Sequence, residues 1–159
     1  FTKVLKGHIA VATTNINKDN TGKKIDKRAR KFLRKSNLDY AHGTGHGVGF
    51  FLNVHEGPQS INKINKVKIK PGMILSNEPG YYKNNHFGIR IENLVYVDKK
   101  KGKLFFKNLT MAPIEKELIN YDLLTVYEKN YLFKYHLDVY LKISKYLKKN
   151  ERQWLANLI

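Results

Sequence analysis

The sequence predicts an α+β fold, and three observations carry that prediction. Apolar residues recur at helical spacing over the first twelve residues and again beyond Glu115. Between residues 48 and 106 they come instead as short runs closed by glycine, proline and lysine-asparagine turns, the pattern of strands. Glycine is absent after Gly102, so the turn-rich texture ends where the second helical stretch begins.

Phe1, Val4, Leu5, His8, Ile9 and Ala12 share one helical face, and the polar run 13–20 ends that helix. His8 lies inside the apolar stripe and reads as a satisfied core histidine. Beyond the loop at Gly22, Ile25, Ala29, Phe32 and Leu33 mark a second helix over 26–35, with Asp26 placed to suit the helix dipole. Glycines at 43, 45, 47 and 49 argue against helix through 41–50, because each costs about 1 kcal/mol relative to alanine. An irregular loop running into a strand over 48–54 is expected there. Residues 59–70 read as a solvated lysine- and asparagine-rich connection, and Lys70-Pro71-Gly72 as a turn. A short strand over 73–76 follows, stopped by Pro79-Gly80 just after Glu78. Residues 88–97 alternate as one strand, with Arg90 and Glu92 projecting from the same face. An arginine neighbour favours the charged form of a buried carboxylate, the form that a metal requires. A hairpin turn over 98–103 leads to a returning strand over 104–106. Past Glu115, a short helix is expected near 118–127. A longer one carries Leu132, Phe133, His136, Leu137, Tyr140, Leu141, Ser144 and Leu147 on its apolar side. An appendage of this kind serves packing or a subunit contact.

With 159 residues, 42% apolar content, ten Tyr and eight Phe, the chain has the means to bury a core, which excludes a disordered polyelectrolyte. The absence of cysteine excludes disulfides, thiolate zinc sites and a cysteine nucleophile, and suits a reducing, cytoplasmic address. No apolar run reaches the length of a membrane span. A formal net charge of +17 suggests a polyanionic partner. Two facts weigh against nucleic acid: the lysines run from end to end, and only five of the 30 basic residues are arginine, the side chain suited to bidentate phosphate and base contacts. The opening Phe1-Thr2-Lys3 reads as the middle of a helix with no initiator methionine, so the chain is expected to be the C-terminal part of something longer.

The chemistry concentrates in five residues set among chain-breakers. His42 and His46 lie in the glycine-rich run 41–50, His55 in Asn53-Val54-His55-Glu56-Gly57-Pro58, Glu78 before Pro79-Gly80, and Glu92 in Gly88-Ile89-Arg90-Ile91-Glu92-Asn93. The run is no phosphate loop, for it lacks both the GxGxxG spacing and a Gly-Lys-Ser/Thr. His55-Glu56 is no HExxH motif, since residue 59 is glutamine. A histidine with two glutamates from separate strands suits Mn²⁺, Zn²⁺ or Co²⁺. A bridging carboxylate lets two such ions share a hydroxide nucleophile near neutral pH, and further histidines can hold a carbonyl oxygen or move a proton.

Gly43-Thr44-Gly45-His46-Gly47-Val48-Gly49, then Asn53 to Pro58, then Glu78-Pro79-Gly80-Tyr81-Tyr82, then Gly88 to Asn93, together resemble the creatinase/methionine-aminopeptidase class, and within it the Xaa-Pro aminopeptidases of the eukaryotic cytosolic type. The resemblance extends to the opening Phe1-Thr2-Lys3-Val4-Leu5-Lys6-Gly7-His8 and the tail. It implies a pita-bread fold, here its second half and part of its first over residues 1–112, with a helical C-terminal extension over 113–159. It implies two divalent ions, manganese foremost and zinc or cobalt as substitutes, and removal of the N-terminal residue from peptides with penultimate proline. On that resemblance His46 and Glu78 bind one ion, and Glu92 bridges both. His55 meets the scissile carbonyl, His42 shapes the substrate pocket, Glu78 also carries the proton, and Arg90 supports a ligating carboxylate from behind. Two further aspartate ligands belong to strands ahead of residue 1, so the chain alone is expected to be inactive. A homodimer through the C-terminal region is also implied. The rival is a non-enzymatic creatinase-fold module bound to histones or RNA, which would have no reason to keep the ligands together.

Overall fold

The computed structural model describes residues 1–51 and 53–159. The chain divides into two compact units, Lys3–Thr110 and a second made of Phe1–Thr2 with Met111–Ile159.

In the first unit, α1 (Thr2–Ala12) buries Val4, Leu5, His8, Ile9 and Val11, close to the expected face. α2 (Gly22–Arg34) starts four residues earlier than its apolar pattern suggests. The early start is fixed from outside the helix: Thr21 bridges Lys68, and the Lys23 amide donates to the Asn65 carbonyl at 2.8 Å. Asp26 does not serve the dipole. It is buried, and its two oxygens accept from Arg30 Nε at 2.9 and 2.8 Å, one helical turn away.

Among the described residues seven strands follow: β1 (Gly45–His46), β2 (Ser60–Ile61), β3 (Ile74–Asn77), β4 (Gly80–Lys83), β5 (Phe87–Arg90), β6 (Asn93–Lys100) and β7 (Lys103–Asn108). β3, β6 and β7 form an antiparallel sheet in that order, while β1–β2 and β4–β5 form separate pairs. Among the described residues of 48–54 the expected strand is not found. Gly45–His46 pairs, Gly47 bridges Leu75, and the chain then turns, with Glu56 N donating to Gly47 O and Gly49 N to Asn53 O. Leu52, within that expected strand, lies outside the described residues. The connection 59–70 is not simply solvated either. Ile61 and Ile69 are buried, and Ser60–Ile61 pairs with the histidine strand. The single strand expected over 88–97 is two strands, broken at Ile91–Glu92. The core holds Val11, Ile16, Ile25, Ala29, Ile61, Ile69, Leu75, Val95, Val97 and Phe106.

In the second unit the short helix is a single 3-10 turn, Tyr121–Leu123, and α3 (Val126–Ile143) begins at a capping box. Thr125 Oγ1 accepts from the Glu128 amide, and the Glu128 carboxylate accepts from the Thr125 amide. α4 (Lys149–Leu158) closes the chain. α3 buries Leu132, Tyr135, His136 and Val139. Phe133, Leu137 and Leu141, expected on the same side, face outward. Among the described residues no helix is long and apolar enough to cross a membrane.

Candidate metal centre

The register of two ladders builds the site. β3 and β6 pair as far as Asn77 opposite Asn93, and β4 and β5 begin at Gly80 opposite Arg90. Between them the long hairpin is interrupted at Glu78-Pro79 on one side and Ile91-Glu92 on the other. Proline lacks the N–H that a ladder requires, so the break falls at Pro79. Glu78 and Glu92 therefore occupy adjacent places just beyond the last pair of the β3–β6 ladder. Like charges in facing positions repel, and a cation between them turns that cost into a gain.

β1 brings in the third donor. Gly47 bridges Leu75 of β3, and the His46 amide donates to Ser76 Oγ at 2.9 Å. One ligand atom from each of His46, Glu78 and Glu92 lies within 4.8 Å of the others, with His46 Nε2 3.3 Å from Glu78 Oε1. The His46 Nδ1 lies 3.0 Å from the Gly47 carbonyl. A carbonyl can only accept, so in the neutral ring Nδ1 carries the proton and Nε2 presents its lone pair to the carboxylates, the tautomer that a metal needs. The approach of β1 to its neighbours leaves no room for side chains at its glycines: a Cβ at Gly45 would lie 2.0 Å from the Ser76 carbonyl oxygen, and one at Gly47 2.0 Å from that of Glu56.

Glu78 is the buried carboxylate, 8% exposed, while Glu92 is exposed, contrary to the expectation that Glu92 sits buried beside Arg90. Arg90 instead reaches Glu78 Oε2 at 3.5 Å, and Ser76 Oγ donates to Glu78 Oε1 at 3.0 Å. Burial lowers the Arg90 pKa, but the hydrogen bond to Tyr82 and the charges of Tyr82, Glu78 and Glu92 outweigh it and raise the value. Arg90 Nε donates to Tyr82 Oη at 2.8 Å, and Tyr82 Oη lies 3.0 Å from His42 Nε2. His42 Nδ1 lies 2.6 Å from the Gly43 carbonyl, so by the same tautomer argument Tyr82 donates its hydroxyl proton to Nε2. His55 is exposed, with its ring centroid 4.0 Å from that of His46.

The structure thus gathers His46, Glu78 and Glu92, sets His55 against His46, and links Arg90 to Glu78. It places His42 on Tyr82 rather than among the three donors. Sequence reasoning passed over Ser76, Arg30 and the link made by Tyr82. Ser76 could have been found, since it shares a strand face with Glu78 two residues on. Arg30 had no signal in the helical pattern, yet it fixes the approach to the histidines. Its guanidinium donates to Asp39 and the Tyr40 carbonyl at 2.7 Å and to the His42 carbonyl at 2.6 Å, and it lies 3.8 Å from the Tyr40 ring centroid.

A histidine and two carboxylates brought together from short strands form a group that could hold a metal ion. The chain belongs to metallopeptidase family M24, whose model matches residues 1–99, and the C-terminal region of peptidase M24 matches residues 102–158. Among its relatives is a probable Xaa-Pro aminopeptidase P of Coprinopsis cinerea, 48% identical over 98% of this chain and 27% of the relative. Xaa-Pro aminopeptidase 1 of Dictyostelium discoideum is 43% identical over the full chain and 27% of its own length. The X-prolyl aminopeptidase of Caenorhabditis elegans, described as a cytosolic enzyme with a di-nuclear active site, superposes with a TM-score of 0.89 at 38% identity, over 99% of this chain and 27% of that one. The prolidase of Pyrococcus furiosus gives 0.59 at 29% identity, over 68% of this chain and 30% of its own. The chain carries the corresponding part of the pita-bread fold and spans about a quarter of the length of these relatives.

Proposed function

We propose that His46, Glu78 and Glu92 are this chain's contribution to a dinuclear centre in an aminopeptidase that removes the N-terminal residue ahead of proline. The observation that carries this reading is the adjacent pair Glu78 and Glu92 at the ladder break, with His46 Nε2 turned toward Glu78. In this reading His46 and Glu78 would hold one ion and Glu92 would be shared by both. Divalent ions, manganese, zinc or cobalt by donor type, would supply Lewis acidity toward water and the scissile carbonyl. The chain's own groups do the rest. Glu78 accepts the proton of the attacking water and passes it to the leaving proline nitrogen. His55, exposed beside His46, donates to the oxygen on which charge develops. Arg90 and Ser76 hold the two Glu78 oxygens in place, and His42 with Tyr82 walls the pocket. The names of the relatives and the di-nuclear description of the C. elegans enzyme support this assignment.

Three ligand side chains fall short of the five that the family resemblance implies, so the 159-residue chain binds an ion without turning over peptide. Titration of the chain with Mn²⁺ by calorimetry, beside an assay on an Xaa-Pro peptide, tests both halves. Binding that disappears in Glu92→Gln, with no turnover, is expected. Absence of binding overturns the metal assignment. Robust turnover lost in Glu92→Ala overturns the claim that the chain alone is inactive.

The proposal extends to a homodimer through the second unit. Phe133, Leu137 and Leu141 are 68%, 43% and 63% exposed and follow one line along α3. Sedimentation of wild type and of Phe133→Ser/Leu141→Ser should show a dimer and a monomer; two monomers would remove the dimer from the reading.

A further inference from the structure

The lysines dispersed along the sequence are not all dispersed in space. α2 buries Ile25, Asp26, Ala29, Arg30 and Leu33 on one side. On the other it presents Lys24, Lys27, Arg28, Lys31, Arg34 and Lys35, all exposed, which with Asp19 line an open groove of about 780 Å³. Lys24, Lys27, Lys31 and Lys35 follow an i, i+3, i+7, i+11 repeat that keeps residues on one face of a helix. That row is roughly 16 Å long, with a cation about every turn of 5.4 Å. Two of the six cations are already neutralised: Arg28 pairs with Asp19 at 3.0 Å and Arg34 with Asp39 at 3.1 Å. Lys24 donates only to the Lys18 carbonyl, and among the described residues no carboxylate lies within ion-pair distance of Lys24, Lys27, Lys31 or Lys35. None of these residues belongs to the candidate metal centre.

We propose that this face of α2 docks the phosphodiester backbone of an RNA duplex, independently of sequence. Four point charges in a row match a row of phosphates. With the two arginines tied to carboxylates, no free fork remains to read base edges. The face offers no exposed aromatic ring for base stacking, which disfavours a single strand. It has no large apolar side chain to insert into a lipid surface or to anchor an acidic protein. The C3′-endo sugar of an A-form strand brings successive phosphates closer together than the C2′-endo sugar of B-form DNA, and the rise of one helical turn, about 5.4 Å, lies nearer the shorter step. The row shares no residue with His46, Glu78 or Glu92, so the proposal stands whether or not the chain binds a metal.

Fluorescence anisotropy of the 159-residue chain on a labelled 20-base-pair RNA duplex, from 50 to 200 mM KCl, tests it. Four phosphate contacts predict a slope of log K against log salt of about −3.6, taking roughly −0.9 per contact. Replacing Lys24, Lys27, Lys31 and Lys35 by glutamine should weaken binding at least tenfold at 100 mM KCl and flatten the slope. The same charge removed elsewhere, at Lys66, Lys83, Lys134 and Lys149, should change Kd less than twofold. Circular dichroism of both variants verifies the fold. Equal weakening by the two sets would mean net charge alone is responsible and overturns the docking face. So would no binding at 50 mM KCl, or tighter binding to a DNA duplex, a single-stranded RNA, phosphatidylserine vesicles or polyglutamate.

Discussion

At the scale of single residues, two positions respond to protons and ions in opposite ways. His8 is wholly buried in α1, and neither ring nitrogen has a hydrogen-bond partner among the described residues, so it packs in the core without being satisfied there. Burial lowers its pKa from 6.5 to about 4. The unfolded chain therefore takes up a proton over that interval when the folded chain does not. The associated stability is complete above about pH 6.5 and is lost as pH falls toward about 4. Urea denaturation should show about 2 kcal/mol less stability from this residue at pH 5 than at pH 7, and His8→Asn should remove that part of the pH dependence. Glu92 behaves differently. Metal-free, it repels Glu78, so Glu92→Gln should raise the stability of the ion-free chain by roughly 0.2–1 kcal/mol. The same substitution should abolish the gain expected from Mn²⁺ in the wild type. A variant that is less stable without metal would mean the two carboxylates do not oppose each other.

At the scale of elements, α2 and its following loop form one electrostatic assembly. Thr44 Oγ1 donates to Asp26 Oδ1 at 2.6 Å, so Arg30 and Asp26 tie the helix to the loop that carries His42 and His46. Burial opposes the charge of Arg30, but the hydrogen bonds it donates to Asp26 and Asp39 and the charges of Tyr40 and Asp26 raise its pKa. Arg30→Met strands Asp26 as an uncompensated buried charge and should cost about 3–5 kcal/mol by denaturant melt. The double change Asp26→Leu/Arg30→Met should recover most of that loss. Arg30→Lys should not, because an ammonium cannot reach two carboxylates and two carbonyls from one planar fork. This assembly was illegible in the sequence, since a charged pair four apart on a helix normally lies on its wet side. Periodicity located both helices and β3, where burial follows the pattern. It failed at residues 48–54 and 91–92, where departures from the regular ladder prevail over local propensity. Those are the places where the candidate site residues project, so the same breakers that blurred the strand boundaries marked the proposed ligands.

For the molecule as a whole, metal binding and folding stability are linked. An ion that binds only the folded state at one hundred times its Kd adds about 2.7 kcal/mol. Hydrogen exchange with and without Mn²⁺ should place the added protection within Lys3–Thr110, around Gly45–His46, Ile74–Asn77 and Asn93, and leave α3 unchanged. Protection appearing equally in α3 would contradict a site confined to the first unit. The overall α+β arrangement was readable because composition changes sharply after Gly102. The division of strands into a three-stranded sheet and two pairs was not, because it depends on contacts between residues far apart in the chain.

The close fit at Gly45 and Gly47 also shapes how this stretch can vary. A saturation library across residues 43–49 should give a comb rather than a plateau. Position 43, where an added carbon meets its nearest neighbour at 3.4 Å, should accept small residues. Positions 45 and 47 should reject every replacement, because the obstacle is main chain that cannot step aside. Position 49 should fall between them, since the nearest obstacle there is the movable end of Glu56. That alternation would persist in variants scored only for abundance, with no substrate or ion present, and would separate the residues needed for shape from His46, whose proposed part is its lone pair.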